Sequence, residues 1–194
     1  MDAEQVAALR VLLEPTGWLE RAAAFARVLQ RSARTPGGLL VVGTPDHEPW
    51  HLAAHLDEES RFAGIPELAP TLVRWSPPAN APSHLSTGLR RLEQAGRGES
   101  LLVVTPEIAP CPLLERVQDA RRGGATVLAL DRGDPQLEEM AHEAFVIGEA
   151  APPLSFDAAQ HLVSAAAGER QERQRGFRTR LARLLDLVSG PAPG

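Results

Sequence analysis

The sequence predicts an α/β fold: a three-layer, five-stranded parallel sheet in the flavodoxin-like order 2-1-3-4-5, flanked by helices, with extra helices at the N-terminus. Three observations carry this prediction. Leu39–Val42, Leu101–Val104 and Val127–Leu130 are short, continuous apolar runs, and continuous rather than alternating apolarity marks strands covered on both faces. Helical stretches separate these runs, which implies right-handed crossovers between parallel strands. Glycine brackets the first run, as Gly37-Gly38 before it and Gly43 after it, so the run ends where a short strand should.

The elements follow in order. Val6, Leu9, Leu12 and Leu13 form one helical stripe, which Glu14-Pro15-Thr16-Gly17 breaks, and Thr16 is suited to cap the next helix. From Trp18 to Arg31 the broad apolar face of Leu19, Ala22, Phe25, Ala26 and Leu29 suits packing on both a sheet and another helix. The first strand is Leu39–Val42, followed by a helix from Pro49 to Ser60. A weaker strand, Thr71–Trp75, leads through the stiff loop Pro77–Pro82 to a helix expected over Ser83–Gln94. Strand Leu101–Val104, helix Pro112–Gly123, strand Val127–Leu130, helix Pro135–Ala141 and strand Ala144–Ile147 complete the alternation. A last helical region starts near Asp157 and runs towards Leu187, with breaks expected at Gly168 and Gly176.

The chain has 194 residues, enough for one well-buried domain, expected over residues 1–189 with a flexible tail at 190–194. Its formal charge of −5 argues against a nucleic-acid partner, which needs a clustered basic face. Every basic residue is Arg, so lysine Schiff-base and P-loop chemistry are excluded. The single cysteine, Cys111, rules out an internal disulfide. An acidic N-terminus without a secretory pattern, and no apolar run near ~20 residues, point to a cytoplasmic protein with no membrane partner.

In an open sheet of this order, ligands bind beyond the carboxyl ends of the first and third strands. The loops there are 43–48, Gly-Thr-Pro-Asp-His-Glu, and 105–110, Thr-Pro-Glu-Ile-Ala-Pro. The candidate ligand contacts are Gly43, Thr44, Asp46, His47, His51, Thr105 and Glu107. Asp46 also reads as the cap of the helix that follows it.

At these loops the chain resembles the sugar-isomerase (SIS) domain family, and within it the phosphoheptose isomerases. The resemblance rests on Gly-Gly-Leu-Leu-Val-Val-Gly at 37–43, the helix containing His51-Leu52-Ala53-Ala54-His55-Leu56, Gly98-Glu99-Ser100-Leu101-Leu102, and the segment from Ala120 to Leu130. It implies a sugar phosphate or related carbohydrate derivative as ligand, a homodimer or homotetramer, and His55 as the inherited acid/base position, where the relatives carry Glu. The late catalytic His of the relatives has no clear counterpart near Gln160-His161. The phosphate loops are degenerate. Of Gly-Asn-Gly-Gly-Ser only Gly43 survives, and Ser-Thr-Ser-Gly-Asn-Ser is replaced by Thr105-Pro106-Glu107-Ile108-Ala109-Pro110. Prolines remove amide donors there, and Glu107 places negative charge where phosphate would lie.

His47-Glu48-Pro49-Trp50-His51 matches H-E-x-x-H, but Pro49 belongs at a helix start, which leaves His47 outside the helix. His51 and His55 are one turn apart, and zinc is the metal that two of these histidines with Glu48 or Glu59 would take. Hydrogen-bonding histidines on a half-buried helix are the simpler reading, and no cofactor is assigned. Cys111 stands at a helix start, where a thiol can be activated, while a buried thiol would be inert. Arg170 to Arg183 form the solvated face of an amphipathic helix. Two functions are therefore expected in order: a SIS-fold carbohydrate-derivative-binding protein related to phosphosugar isomerases, or a non-catalytic interaction or regulatory protein that kept the fold.

Overall fold

The computed structural model describes residue 13, residues 16–148 and residues 154–169. The predicted helix over residues 3–13, apart from residue 13 itself, and the helical region beyond residue 169 lie outside the described residues. Helix α1 (Trp18–Ser32) leads to strand β1 (Leu39–Val42), helix α2 (Trp50–Ala63), strand β2 (Pro70–Val73) and strand β3 (Ser100–Thr105). Helix α3 (Cys111–Gly123), strand β4 (Thr126–Asp131), helix α4 (Pro135–Met140), strand β5 (Glu143–Val146) and helix α5 (Phe156–Ala167) complete the domain.

All five strands are parallel, in the order β2-β1-β3-β4-β5, as predicted. Every residue of β1 and β3 is buried, which is why these strands read as unbroken apolar runs. Alternate residues feed two cores. Leu39, Val41, Leu102, Val104, Leu128 and Leu130 face α1, α2 and α5. Leu40, Val42, Leu101, Val103, Val127 and Ala129 face α3, α4 and the segment carrying Leu92.

Helix α5 is buried almost all round, with Ala159, Ala165, Ala166 and Ala167 letting neighbouring helices approach closely. Gln30 of α1 donates to the carbonyls of Ala167 (2.6 Å) and Glu169 (2.8 Å), serving groups that a helix end leaves without an internal donor. Arg21 of α1 donates to the Val146 carbonyl of β5 at 2.8 Å, and its guanidinium lies 4.4 Å from the Trp18 ring centroid.

Three local expectations are corrected. The helix expected over Ser83–Gln94 is two 3-10 pieces, Ser83–Leu85 and Leu89–Gln94. Between them the chain turns to pair with the end of β2: the Arg74 amide donates to the Thr87 carbonyl at 2.8 Å, and Arg74 bridges Gly88. Tertiary pairing overrides helical periodicity there. The N-cap of α1 is Gly17, at φ 70°, and Thr16 only meets the Trp18 amide at 3.4 Å. Asp46 is exposed and does not cap α2, whose N-cap is Pro49 with no side-chain cap bond.

Candidate functional site

The loops that follow β1 and β3 lie side by side at the carboxyl ends of their strands. Gly43 is the point of closest approach. A Cβ there would sit 3.0 Å from the Val104 carbonyl oxygen and 2.8 Å from Pro49 Cδ, and would collide with the His47 carbonyl. Only glycine lets the loop fold back this tightly. The Gly43 carbonyl is already used, accepting from Trp75 Nε1 at 2.8 Å. Thr44 is buried, and its hydroxyl has no hydrogen-bond partner.

Glu48 is committed to structure. Its carboxylate accepts from Arg74 Nε (3.0 Å), Trp50 Nε1 (3.0 Å) and the Trp75 amide (3.2 Å), and the Arg74 guanidinium stacks 4.5 Å from the Trp50 ring centroid. It is therefore not free to serve a metal-bound water. Helix α2 begins at Trp50 and leaves His47 outside it. Among the described residues, no three His, Cys, Asp or Glu side chains are arranged to hold a metal ion.

The loop after β3 is satisfied from within. The Thr105 hydroxyl, fully buried, donates to the Glu107 carbonyl at 2.6 Å and accepts from the Glu107 amide at 3.2 Å. The Ala109 amide donates to Asp134 Oδ2 at 2.7 Å, and the amides of Leu113 and Leu114 both reach the Pro110 carbonyl. Pro106, Pro110 and Pro112 have no amide hydrogen. That leaves Ile108 and Cys111 as the only amides from 106 to 114 without an internal acceptor among the described residues. The start of α3 is thus a poor phosphate cradle, and the exposed Glu107 adds a like charge.

Asp131, which pairs in register with Thr105, organises the neighbouring turn. Its Oδ1 accepts from the amides of Gly133 (2.6 Å) and Asp134 (3.0 Å), while buried Oδ2 has no partner. Burial pushes its pKa up, partly offset by these two amides, with Asp134 adding to the rise. Asp134 in turn caps α4, accepting from the amides of Gln136 and Leu137.

The histidines gather where α2 meets α5. His47 packs edge-on against Phe156 with centroids 5.3 Å apart, and its Nε2 lies 3.5 Å from Gln160 Nε2. The His55 ring meets the His161 ring edge-on at 4.5 Å. Burial lowers the pKa of both, with His51 lowering each further; Glu58 opposes this at His55 and Asp157 at His161. His51 itself is exposed. Of the predicted contacts, then, His47, His51 and His55 share the α2–α5 seam. Thr105 and Glu107 bond to each other, and Asp46 faces solvent.

Asp131 and Asp134 were not singled out by sequence, and Gln160-His161 were named only as lacking a clear match to the relatives' late catalytic His. The signal for His161 lies in helix pairing, since it is the residue of α5 that falls opposite His55. Cys111 is exposed, not buried, and lines a groove of about 680 Å³ between α3 and α4 with Leu114, Arg122, Gln136 and Met140. No residue of loop 43–48 lines that groove.

No protein-family model and no curated protein matches this chain. Solved structures do. One is a protein from Silicibacter pomeroyi that carries the name of a phosphosugar isomerase, at TM-score 0.56 and 18% identity over 95% of this chain and 53% of that one. Another is the Vibrio vulnificus NanR protein complexed with ManNAc-6P, at TM-score 0.53 and 13% identity over 95% of this chain and 68% of that one. The chain thus spans about half the length of the first. At these identities the likeness concerns the path of the backbone, and the chain shares the fold of these two structures.

Proposed function

We propose that the chain is a carbohydrate-derivative-binding domain of the sugar-phosphate class, with its ligand at the carboxyl ends of β1 and β3. The observation that carries this reading lies in and beside the β1 loop: the buried Thr44 hydroxyl has no partner among the described residues, and His47 Nε2 meets Gln160 Nε2 only at a long 3.5 Å, with Gln160 also donating to Asp157 Oδ1 at 3.3 Å. Buried polar groups are normally satisfied, and sugar hydroxyls both donate and accept. The fold supports the reading, as does the sugar phosphate held by a structural neighbour. The sugar is the part gripped, because the start of α3 offers phosphate so few donors. His55, with His161 beside it, is the proposed acid/base position. Two imidazoles kept neutral at pH 7 suit proton transfer, and phosphoheptose-like isomerisation is the chemistry to look for there. We further propose assembly as a homodimer or homotetramer, which light scattering will read directly.

Thermal-shift measurements against sugar phosphates and nucleotide sugars test the binding claim. A ligand at about 100 times its Kd adds roughly 2.7 kcal/mol of stability, and Thr44→Val or His47→Ala should remove most of that shift. No shift at millimolar ligand ends the claim. The saturated β3 loop favours a second reading, a non-catalytic interaction or regulatory protein that retains the fold, and failure of every sugar ligand would move the assignment there.

A further inference from the structure

The seam between α2 and α5 is closed by imidazoles. His51 and His55 stand one turn apart on α2, and His161 reaches over from α5 so that its ring meets His55 edge-on, 4.5 Å between centroids. Beside it on α5, Gln160 is buried and faces His47, which also packs against Phe156 at 5.3 Å. His161 Nδ1 is buried with no hydrogen-bond partner among the described residues. The carboxylates at the seam are Glu58 of α2, 3.8 Å from His55 Nδ1 and mostly exposed, Glu59 of α2, whose side chain packs against Gly168 at the end of α5, and Asp157 of α5, which acts on His161. Helix α1, packed on the other side of α5, presents the uncharged Gln30 to the carbonyls at its end.

We propose that this seam is a proton-operated latch: with His55 and His161 neutral, α5 closes on α2, and when both are protonated the helices part beside His47 and the β1 loop. Burial and neighbouring imidazoles resist the proton in the folded state. The unfolded chain therefore takes up protons first as pH falls below the ordinary histidine value of 6.5. Stability contributed by the neutral pair is full above that value and is lost as pH drops through the folded-state values. The device needs no ligand, so it stands or falls apart from the carbohydrate reading.

The test uses the full chain. Histidine ring resonances are followed by NMR from about pH 7.5 to about pH 5. His55 and His161 are expected to titrate below the ordinary histidine value of 6.5. Across the same range the Tm is expected to fall by at least about 4 °C, and α5 amides to exchange at least about five-fold faster than intrinsic chemistry predicts, with β3 unchanged. His161→Phe, which keeps the edge-on ring but cannot take a proton, should remove about half of the Tm fall. Titration of both histidines at or above the ordinary value of 6.5, or an undiminished Tm fall in His161→Phe, overturns the proposal. Should that variant fail to fold, the wild-type titration decides alone.

Discussion

Asp131 holds its buried carboxyl unevenly, one oxygen served by two amides and the other by none. Because burial raises its folded-state pKa above 3.8, the folded protein binds the extra proton over the interval from there up to the raised value. Its contribution is favourable at the acid side of that interval and is lost as pH rises through it. Asp131→Asn keeps the acceptor for Gly133 and Asp134 without the buried charge. It should unfold at an equal or higher urea midpoint at neutral pH, with the acid-side dependence flattened. Asp131→Ala leaves both amides unserved and should cost about 1–3 kcal/mol. At Gly43, a Cβ would collide with the His47 carbonyl of the same loop and crowd Pro49 Cδ at 2.8 Å, so Gly43→Ala must open the turn after β1. The expected loss is about 1–3 kcal/mol by urea denaturation, and an unchanged midpoint would show that the loop is not closed as described.

Helix α4 spans only Pro135–Met140, too short to persist without its cap. Asp134→Ala should therefore cost about 1–2 kcal/mol, and it should also free the Ala109 amide in the loop after β3. An NMR shift at Ala109 together with those at Gln136 and Leu137 checks the link, and a change confined to α4 would refute it. Legibility in the sequence differed by element for physical reasons. Strands β1, β3 and β4 stood out because double coverage leaves no polar alternation to blur them. The segment from Ser83 to Gln94 misled because its apolar spacing suited a helix, while a bridge from Gly88 to Arg74, just past β2, decided its shape. The first loop was located correctly by sheet order, yet Glu48's three partners could not be read locally, since Arg74 and Trp75 arrive from β2. For the same reason His161 received no role from sequence: its meaning comes from α5 lying on α2.

At the scale of the molecule, one sheet carries a separate apolar core on each face, and the two differ in character. The face with α1, α2 and α5 buries the aromatic rings Trp18, Phe25, Phe145 and Phe156, whereas the face with α3 and α4 is built from Leu, Val and Ala. The rings also touch, with Phe145 lying 5.6 Å from Trp18 and 5.8 Å from Phe25. Phe145→Ala should therefore cost about 3–5 kcal/mol. Because both cores share the same strands, chemical unfolding should remain a single transition by circular dichroism and Trp fluorescence alike. Transitions that separate between the two probes would show that one face melts without the other.

The hydrogen bond from Ala109 to Asp134 reaches further than its own loop. Asp134 cannot release that amide by turning its carboxyl without also loosening the cap on Gln136 and Leu137, and Asp131 holds the turn from below. The connection after β3 and the first turn of α4 are therefore one mechanical unit. A molecule that pried up the first would unwind the second, so admission at this edge would be all-or-none, and deuterium should enter Ala109, Gln136 and Leu137 at a common rate.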